Sequence, residues 1–366
     1  MATRTPKSMT DAGTHRSTSM LRRKRFWFGF IITAVFLGIF LARTDFGEIR
    51  SAFAGADYTL ALAAIPIYFA GYWFRAWRWS LLLGPVKKVP VKRLYPIVLI
   101  GLMSNNIAPA RIGELVRSYL VGEREGISKS TAFGTIAIDR AFDGLTLVAI
   151  LGVVTVATGA DVGVRGLGVG AALIFFAGTA ALVAMAMSPS LVRGWLSVFF
   201  RMLPSKIGEK AESVIDAFLG GLVVIRSPGV LAMASGASLI SWLLEASMYY
   251  VVGEAFHLNA GFDAYLIATS AANLALSVFA SPGGVGPFEV TTREVLVFFG
   301  VGGAAASAYA LALHAILLAP VIVVGILLVW TSGVSLKQLM GIQDDRRSTA
   351  PAPPSTAEGG AAEAGG

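Results

Sequence analysis

Residue types able to do chemistry gather at three places in this sequence. In 104–117, Asn105, Asn106, Arg111, Glu114 and Arg117 surround Pro109 and Gly113. Pro109 has no N–H and restrains the residue before it, while Gly113 permits close backbone approach. Such a turn leaves N–H groups free at the start of the next helix, where anions bind. Arg111 offers a planar fork that suits a phosphodiester. Glu114 and Arg117 stand i,i+3 and can pair along one face, or Glu114 can meet a cationic headgroup.

The second place is Asp139-Arg140-Ala141-Phe142-Asp143, inside the apolar run Thr131–Val156. Asp139 and Asp143 share a helical face at i,i+4, and Arg140 is i,i+3 from Asp143. Each ionisable group there costs roughly 2.5–3.5 kcal/mol in hydrocarbon. The trio is either a static charge network locking neighbouring helices or the lining of a polar groove, and one network can do both. The third place is Pro282-Gly283-Gly284-Val285-Gly286-Pro287-Phe288-Glu289, followed by Arg293 and Glu294. Glu245 sits deep in the apolar run Gly229–Val252, as a proton-coupling residue or as the partner of an arginine on another helix. His314 is expected to be a hydrogen-bonded core histidine. Arg75 and Arg78 alternate with Trp73, Trp77 and Trp79, the pattern of side chains anchored at lipid headgroups.

The surrounding composition says what must position these groups. The chain of 366 residues is 55% hydrophobic and 14% charged, with a mean hydropathy of +0.70. Soluble domains carry roughly 25% charged residues. The fold class expected is therefore an all-α polytopic membrane protein. The sequence contains no cysteine and three scattered histidines, His15, His257 and His314. That excludes a disulfide framework, thiolate metal sites and a cysteine nucleophile, and makes a histidine zinc site a poor fit. No cofactor, metal or nucleic-acid partner is predicted.

Six apolar runs are predicted to span the bilayer: Phe26–Ala42, Tyr58–Phe74, Thr131–Val156, Gly166–Met187, Gly229–Val252 and Ala305–Thr331. Two more, Leu94–Ala108 and Phe262–Ala280, are broken at the Pro/Gly turns. Residues 1–25, 75–93, 188–227 and 333–366 hold twenty-one basic residues, against three in 43–57, 157–165, 253–261 and 301–304; the other six sit in or beside apolar segments. By the positive-inside rule both termini and the 188–227 loop are cytoplasmic, in the inner membrane. Six spans satisfy that parity, so each broken region crosses twice or not at all. It is an ordinary helical hairpin or a re-entrant one. Both broken regions read Pro-x-x-aliphatic-Gly and then glutamate, which suggests an inverted repeat with its tips at the midplane. Residues 1–25 are expected to be a basic, disordered arm with no cleavable signal, 26–332 one transmembrane domain, and 333–366 a low-complexity tail. Segment 190–226, with Trp195, Phe199 and Phe200 beside Arg193 and Arg201, is expected to lie at the interface.

Asn106-x-x-Pro109-x-Arg111-x-Gly113-Glu114-x-x-Arg117, then Asp139-Arg140-x-x-Asp143, then Pro282-Gly283-Gly284-x-Gly286-x-x-Glu289 together resemble the lysylphosphatidylglycerol synthase transmembrane-region family. This is the flippase-like domain of multiple peptide resistance factors. The resemblance covers roughly residues 24–335. Asp139 stands where that family often has glutamate, which shortens the carboxylate. The resemblance implies lipid movement between leaflets, in some members of aminoacylated phosphatidylglycerol. It implies no synthase activity here, since the 35 residues after Thr331 leave no room for the soluble domain.

The leading expectation is thus a flippase or transporter of an anionic or aminoacylated phospholipid, or of a related lipid-linked phosphate, and not an enzyme. Arg111 and Arg117 would hold the phosphate. Asn105 and Asn106 would add hydrogen bonds. Glu114, Asp139, Asp143 and Glu289, with Arg140 among them, would balance charge or hold a cationic headgroup. Pro109, Gly113, Pro282, Gly283, Gly284 and Gly286 would shape the tips. Without a P-loop, transport would be passive, ion-coupled or driven by product removal, with Glu245 a candidate for coupling. The alternatives are a non-transporting partner of a separately encoded synthase or glycosyltransferase, and an intramembrane lipid-phosphate enzyme. A homo-oligomer is compatible with all three.

Overall fold

A computed structural model describes residues 31, 33–42, 46–108, 112–159, 165–200, 205–279 and 281–331, and every regular element among them is helical. A short apolar helix α1, Thr33–Ala42, comes first. It is followed by α2 (Phe46–Ala54), α3 (Tyr58–Leu83), α4 (Val91–Ile107), α5 (Gly113–Glu125) and α6 (Lys129–Thr158). Then come α7 (Arg165–Met187), α8 (Pro189–Phe200), α9 (Ser205–Gly221), a 3₁₀ turn at Leu222–Arg226 and α10 (Pro228–Ala255). The last elements are α11 (Phe262–Val278), a 3₁₀ turn at Pro282–Gly284, α12 (Pro287–Phe298) and α13 (Gly303–Thr331). Residues 329–331 fall in a second unit and are described here only as the end of α13. The predicted arm 1–25 and tail 333–366 lie outside the described residues.

Three helices, α6, α10 and α13, are long and apolar enough to cross a bilayer. Two bent pairs also qualify if each is one span, α2 with α3 at 81° and the Ala172–Met187 part of α7 with α8 at 96°. Among the described residues that makes three to five crossings by length and composition, where six were expected of the whole chain. The differences have local causes. The described part of the first run is ten residues of α1. The second run continues beyond Phe74 to Leu83 and takes in Arg75 and Arg78. The fourth run ends at a sharp bend, where Ser188 separates α7 from α8. Beyond that bend, Leu191 and Trp195 are exposed and the Arg193 side chain pairs with Asp216 of α9.

Helices α3 and α10 form the central pair. Asp57 caps α3 by accepting from the Thr59 and Leu60 N–H groups at 2.9 and 3.0 Å. The Asp57 N–H in turn donates to the Ala255 carbonyl at the end of α10. Further along, a Cβ on Gly71 would sit 3.3 Å from the Ser241 carbonyl, and Arg78 meets Ser238. Numbers rise on one helix as they fall on the other, so the pair is antiparallel. Small buried residues on both, Ala64, Gly71 and Ala76 against Ala234, Ala237 and Ser238, allow the close approach that membrane helices use in place of a hydrophobic drive. A second apolar cluster joins Leu82, Ile138, Ala186, Leu219, Leu222 and Ala234 where α3, α6, α7, α9 and α10 converge.

The first broken region is a hairpin. Gly101 faces Arg117 and Gly113, while Asn105 faces Gly113, so α5 folds back antiparallel on α4. A Cβ on Gly113 would collide with the Gly101 carbonyl and the Asn105 side chain. This backbone approach is what the glycine permits. At the opposite end Lys87 and Arg93 pair with Glu125, which fastens the end of α5 to the α3–α4 turn. Replacing Gly113 with leucine is expected to force the hairpin apart. Overpacking of this kind costs about 1–3 kcal/mol. Thermal unfolding in detergent micelles checks it, and an unshifted midpoint would show that the two helices do not touch there.

Candidate functional site

Burying a guanidinium in an apolar bundle demands anions around it, and Arg78 has them. It is fully buried on α3, with Nε 2.7 Å from Asp139 Oδ1 and Nη2 2.8 Å from Asp143 Oδ1. Its Nη1 donates to Ser238 Oγ at 2.7 Å, and that hydroxyl lies 2.8 Å from Thr146 Oγ1. Asp139 also accepts from Arg117 Nη2 at 3.0 Å. The Arg117 guanidinium lies over the Trp79 ring, 4.3 Å from its centre, and Trp79 Nε1 donates to Thr135. One side of this network therefore ties α3, α5, α6 and α10 together. Arg140 completes it, 3.2 Å from Asp143 and 3.5 Å from Asp139, yet 41% of its side chain is exposed.

A second pair lies one helical turn earlier on α3. Arg75 Nη2 meets Glu245 Oε2 at 2.6 Å, and its Nε donates to Ser241 Oγ at 2.9 Å. The guanidinium lies 4.1 Å from the centre of the Trp242 ring, and Asn273 Nδ2 donates to Glu245 Oε1. Glu245 is thus the partner of an arginine on another helix, one of its two expected roles. A third group joins α12 to α13. Glu289 caps its own helix by accepting the Gly286 N–H at 2.7 Å, and its other oxygen lies 2.5 Å from His314 Nδ1. His314 Nε2 lies 3.0 Å from the Gly283 carbonyl oxygen.

These groups border a cavity of about 350 Å³. Arg75, Arg140, Glu114, Asp143, Glu245 and His314 supply its charged and titratable lining, with amides from Asn105, Asn106 and Asn273. Leu147, Phe175, Leu276 and Leu317 supply apolar wall. The two broken regions meet at its edge. A Cβ on Gly283 would be 3.4 Å from the Asn106 carbonyl oxygen, so the tips are neighbours. Asn105 Oδ1 accepts the Gly113 N–H at 2.6 Å, and its Nδ2 donates to Glu114 at 3.3 Å, which fixes the first tip.

The described residues singled out by sequence separate into three sets. Asn105, Asn106, Glu114, Arg140, Asp143, Glu245, Gly283 and Gly284 line the cavity. Arg117, Asp139 and Glu289 are buried beside it, and each bonds to other residues of the chain. Gly113 and Gly286 shape the turns behind the lining, whereas Pro109 and Arg111 lie outside the described residues. The sequence reading missed Arg75 and Arg78 as interior groups. Both are buried, and the tryptophans beside them face different ways. Trp79 is fully buried and Trp73 is 39% exposed. The helical spacing Tyr68, Tyr72, Arg75, Trp79 carried the signal, since those four share one face. Ser238, Ser241 and Glu245 share a face of α10 in the same way. Among the described residues no three His, Asp or Glu side chains converge so as to hold a metal ion.

Helices long and apolar enough to cross a bilayer, and two broken regions that meet at the edge of a polar cavity, define a multi-pass membrane protein. Residues 26–325 match the family described as the lysylphosphatidylglycerol synthase TM region, and the chain belongs to that family. Two relatives from Methanothermobacter thermautotrophicus, each described as a UPF0104 membrane protein, are similar along most of their length. One is 25% identical over 73% of this chain and 82% of its own, and the other 26% identical over 79% and 87%. A Haloferax volcanii protein named glycosyltransferase AglD is 28% identical over 84% of this chain. The match spans only about half of that protein, 54% of its length.

Asp139 and Arg140 are adjacent in sequence and opposite in consequence. Asp139→Asn leaves Arg78 and Arg117 short of their shared carboxylate, and breaking a buried pair in this way costs about 3–5 kcal/mol. Arg140→Gln removes a half-exposed charge, for which about 1 kcal/mol or less is expected. Denaturant unfolding of the two variants in micelles checks the order. Equal losses would contradict the division between locked and accessible charges.

Proposed function

We propose that the cavity takes the headgroup of an anionic or aminoacylated phospholipid, or of a related lipid-linked phosphate, and lets it pass between the leaflets of the cytoplasmic membrane. The observation that carries this reading is the mixed lining. One half-exposed guanidinium, Arg140, stands among amides and carboxylates, with apolar wall from Leu147, Phe175, Leu276 and Leu317. A phosphate would take the outer face of Arg140 and the amides of Asn105, Asn106 or Asn273. Hydroxyl or ammonium groups of the headgroup would turn to Glu114. Arg117 and Asp139 then serve as the frame and not as ligands. The volume is at the lower end of ligand sites, about 300–1,000 Å³, and suits a headgroup while the acyl chains remain in lipid.

Short helices support re-entrant tips. At 13 and 12 residues, α5 and α12 reach about 20 Å or less, against roughly 30 Å of hydrocarbon. On this reading each hairpin dips in and returns, one from each face, and both termini are cytoplasmic.

A second reading has one observation behind it. AglD carries the matched region within a chain about twice as long and is named a glycosyltransferase. The region here would then present a lipid-linked substrate to a transferase encoded separately, with no movement between leaflets.

Proteoliposomes separate the two. Purified protein is reconstituted with fluorescent phosphatidylglycerol, its lysyl ester or an isoprenoid phosphate, and movement between leaflets is followed. One class is expected to move well above empty liposomes. Arg140→Gln is expected to slow it about 10–100-fold, the worth of one charge-assisted hydrogen bond. No movement of any class would favour the presenting role.

A further inference from the structure

His314 has an acceptor on each side. Its Nε2 lies 3.0 Å from the Gly283 carbonyl oxygen, and its Nδ1 lies 2.5 Å from Glu289 Oε1. A carbonyl oxygen only accepts, so the bond to Gly283 needs a hydrogen on Nε2. A neutral imidazole has one hydrogen, which leaves a lone pair on Nδ1. A lone pair so close to a carboxylate oxygen is repulsive unless a second hydrogen lies between them. That hydrogen is on Nδ1, giving imidazolium and carboxylate, or on Oε1, giving imidazole and carboxylic acid. Glu289 Oε2 accepts the Gly286 N–H in both forms. The pair thus holds two hydrogens in this geometry, one more than a carboxylate beside a neutral imidazole.

Removal of that extra proton leaves one hydrogen for two acceptors. The bond to a charged carboxylate is the stronger, so the hydrogen stays on Nδ1 and faces Glu289. Nε2 then turns a lone pair toward the Gly283 carbonyl, and that contact is lost. The Pro282–Gly284 turn has backbone angles that suit glycine, with φ of 62° at Gly283 and 81° at Gly284. Its bond to His314 fastens it to α13, and on its other side Gly283 borders Asn106 of the first tip.

We propose that Glu289 and His314 together form a proton-binding site, in which one exchangeable proton latches the Pro282–Gly284 turn to α13 and so closes the tip-to-tip wall of the cavity. Its use in lipid movement rests on the headgroup reading, but the latch itself does not. The other charged groups nearby are engaged elsewhere. On α12, Arg293 pairs with Glu294 and donates to Ser307. Across the cavity Arg75 holds Glu245, Arg140 holds Asp143, and Glu114 accepts from Asn105. The phenols of Tyr68 and Tyr72 line the same space and lie 3.4 Å apart. From α11 the facing groups are the neutral Asn273 and Ser277.

The chain has no cysteine, so Val278→Cys gives a single attachment point for a nitroxide. Val278 ends α11 just before the turn and is 42% exposed. The labelled full-length protein is placed in phosphatidylglycerol-containing nanodiscs, and nitroxide mobility is recorded from about pH 5 to about pH 8, the range of histidine titration. Low mobility at acid pH is expected to give way to higher mobility in a one-proton step. Glu289→Gln can donate its amide hydrogen to Nδ1 and keep Nε2–H on Gly283, so it is expected to remain immobile throughout. His314→Ala is expected to be mobile throughout. A nitroxide that ignores pH in the otherwise unaltered protein would overturn the latch, as would a Glu289→Gln variant that titrates normally. A normal titration in protein that moves no lipid would support the latch and remove only the headgroup reading.

Discussion

The structure depends on keeping Arg78 charged where no solvent reaches it. An arginine does not lose its proton at any accessible pH, so the bundle must supply compensation or exclude the side chain. Compensation comes from Asp139 and Asp143 on α6 and from Ser238 on α10. Those bonds fix the register of α3 against two helices at once. Asp139 then has an oxygen left for Arg117, and this brings α5 and the first broken region into place. A pair of apolar helices can slide by a turn at modest cost. A helix that carries Arg78 cannot, because sliding strands a charge in hydrocarbon.

Once that frame is set, the polar groups divide by exposure. Arg78, Arg117 and Asp139 are enclosed, and each meets other side chains of the bundle. Arg140, Glu114 and the amides of Asn105 and Asn106 are partly open and reach the cavity. Enclosed groups are held in one arrangement, which gives the accessible ones a fixed geometry to present. The three motifs of this sequence mix both kinds, so membership of a motif marks neither binding nor structure by itself.

Much of this was legible in the sequence. Composition alone gave the helical membrane class, and the runs 131–156, 229–252 and 305–331 fall inside α6, α10 and α13. Proline and glycine marked both breaks. Arg75 and Arg78 were misread because tryptophan and arginine together look like an interfacial belt. What decided their place was the partner helices, and a single chain shows no pairing. The role of Asp139 was hidden for the same reason, since its partner Arg78 is 61 positions away. His314 was visible only as an isolated polar residue in an apolar run. Its two acceptors come from a turn and a helix 25 to 31 residues earlier.

The size of the cavity has a consequence for the lipids the protein would meet. A space of about 350 Å³ is too small for two acyl chains along with a headgroup. On the headgroup reading, a lipid would be recognised there by its polar end, and its tails would stay outside the cavity. Cells alter tail length and unsaturation to hold membrane fluidity constant as temperature changes. A site that reads only headgroups would need no retuning when they do so, and one gene product would serve across growth conditions that remodel the rest of the bilayer.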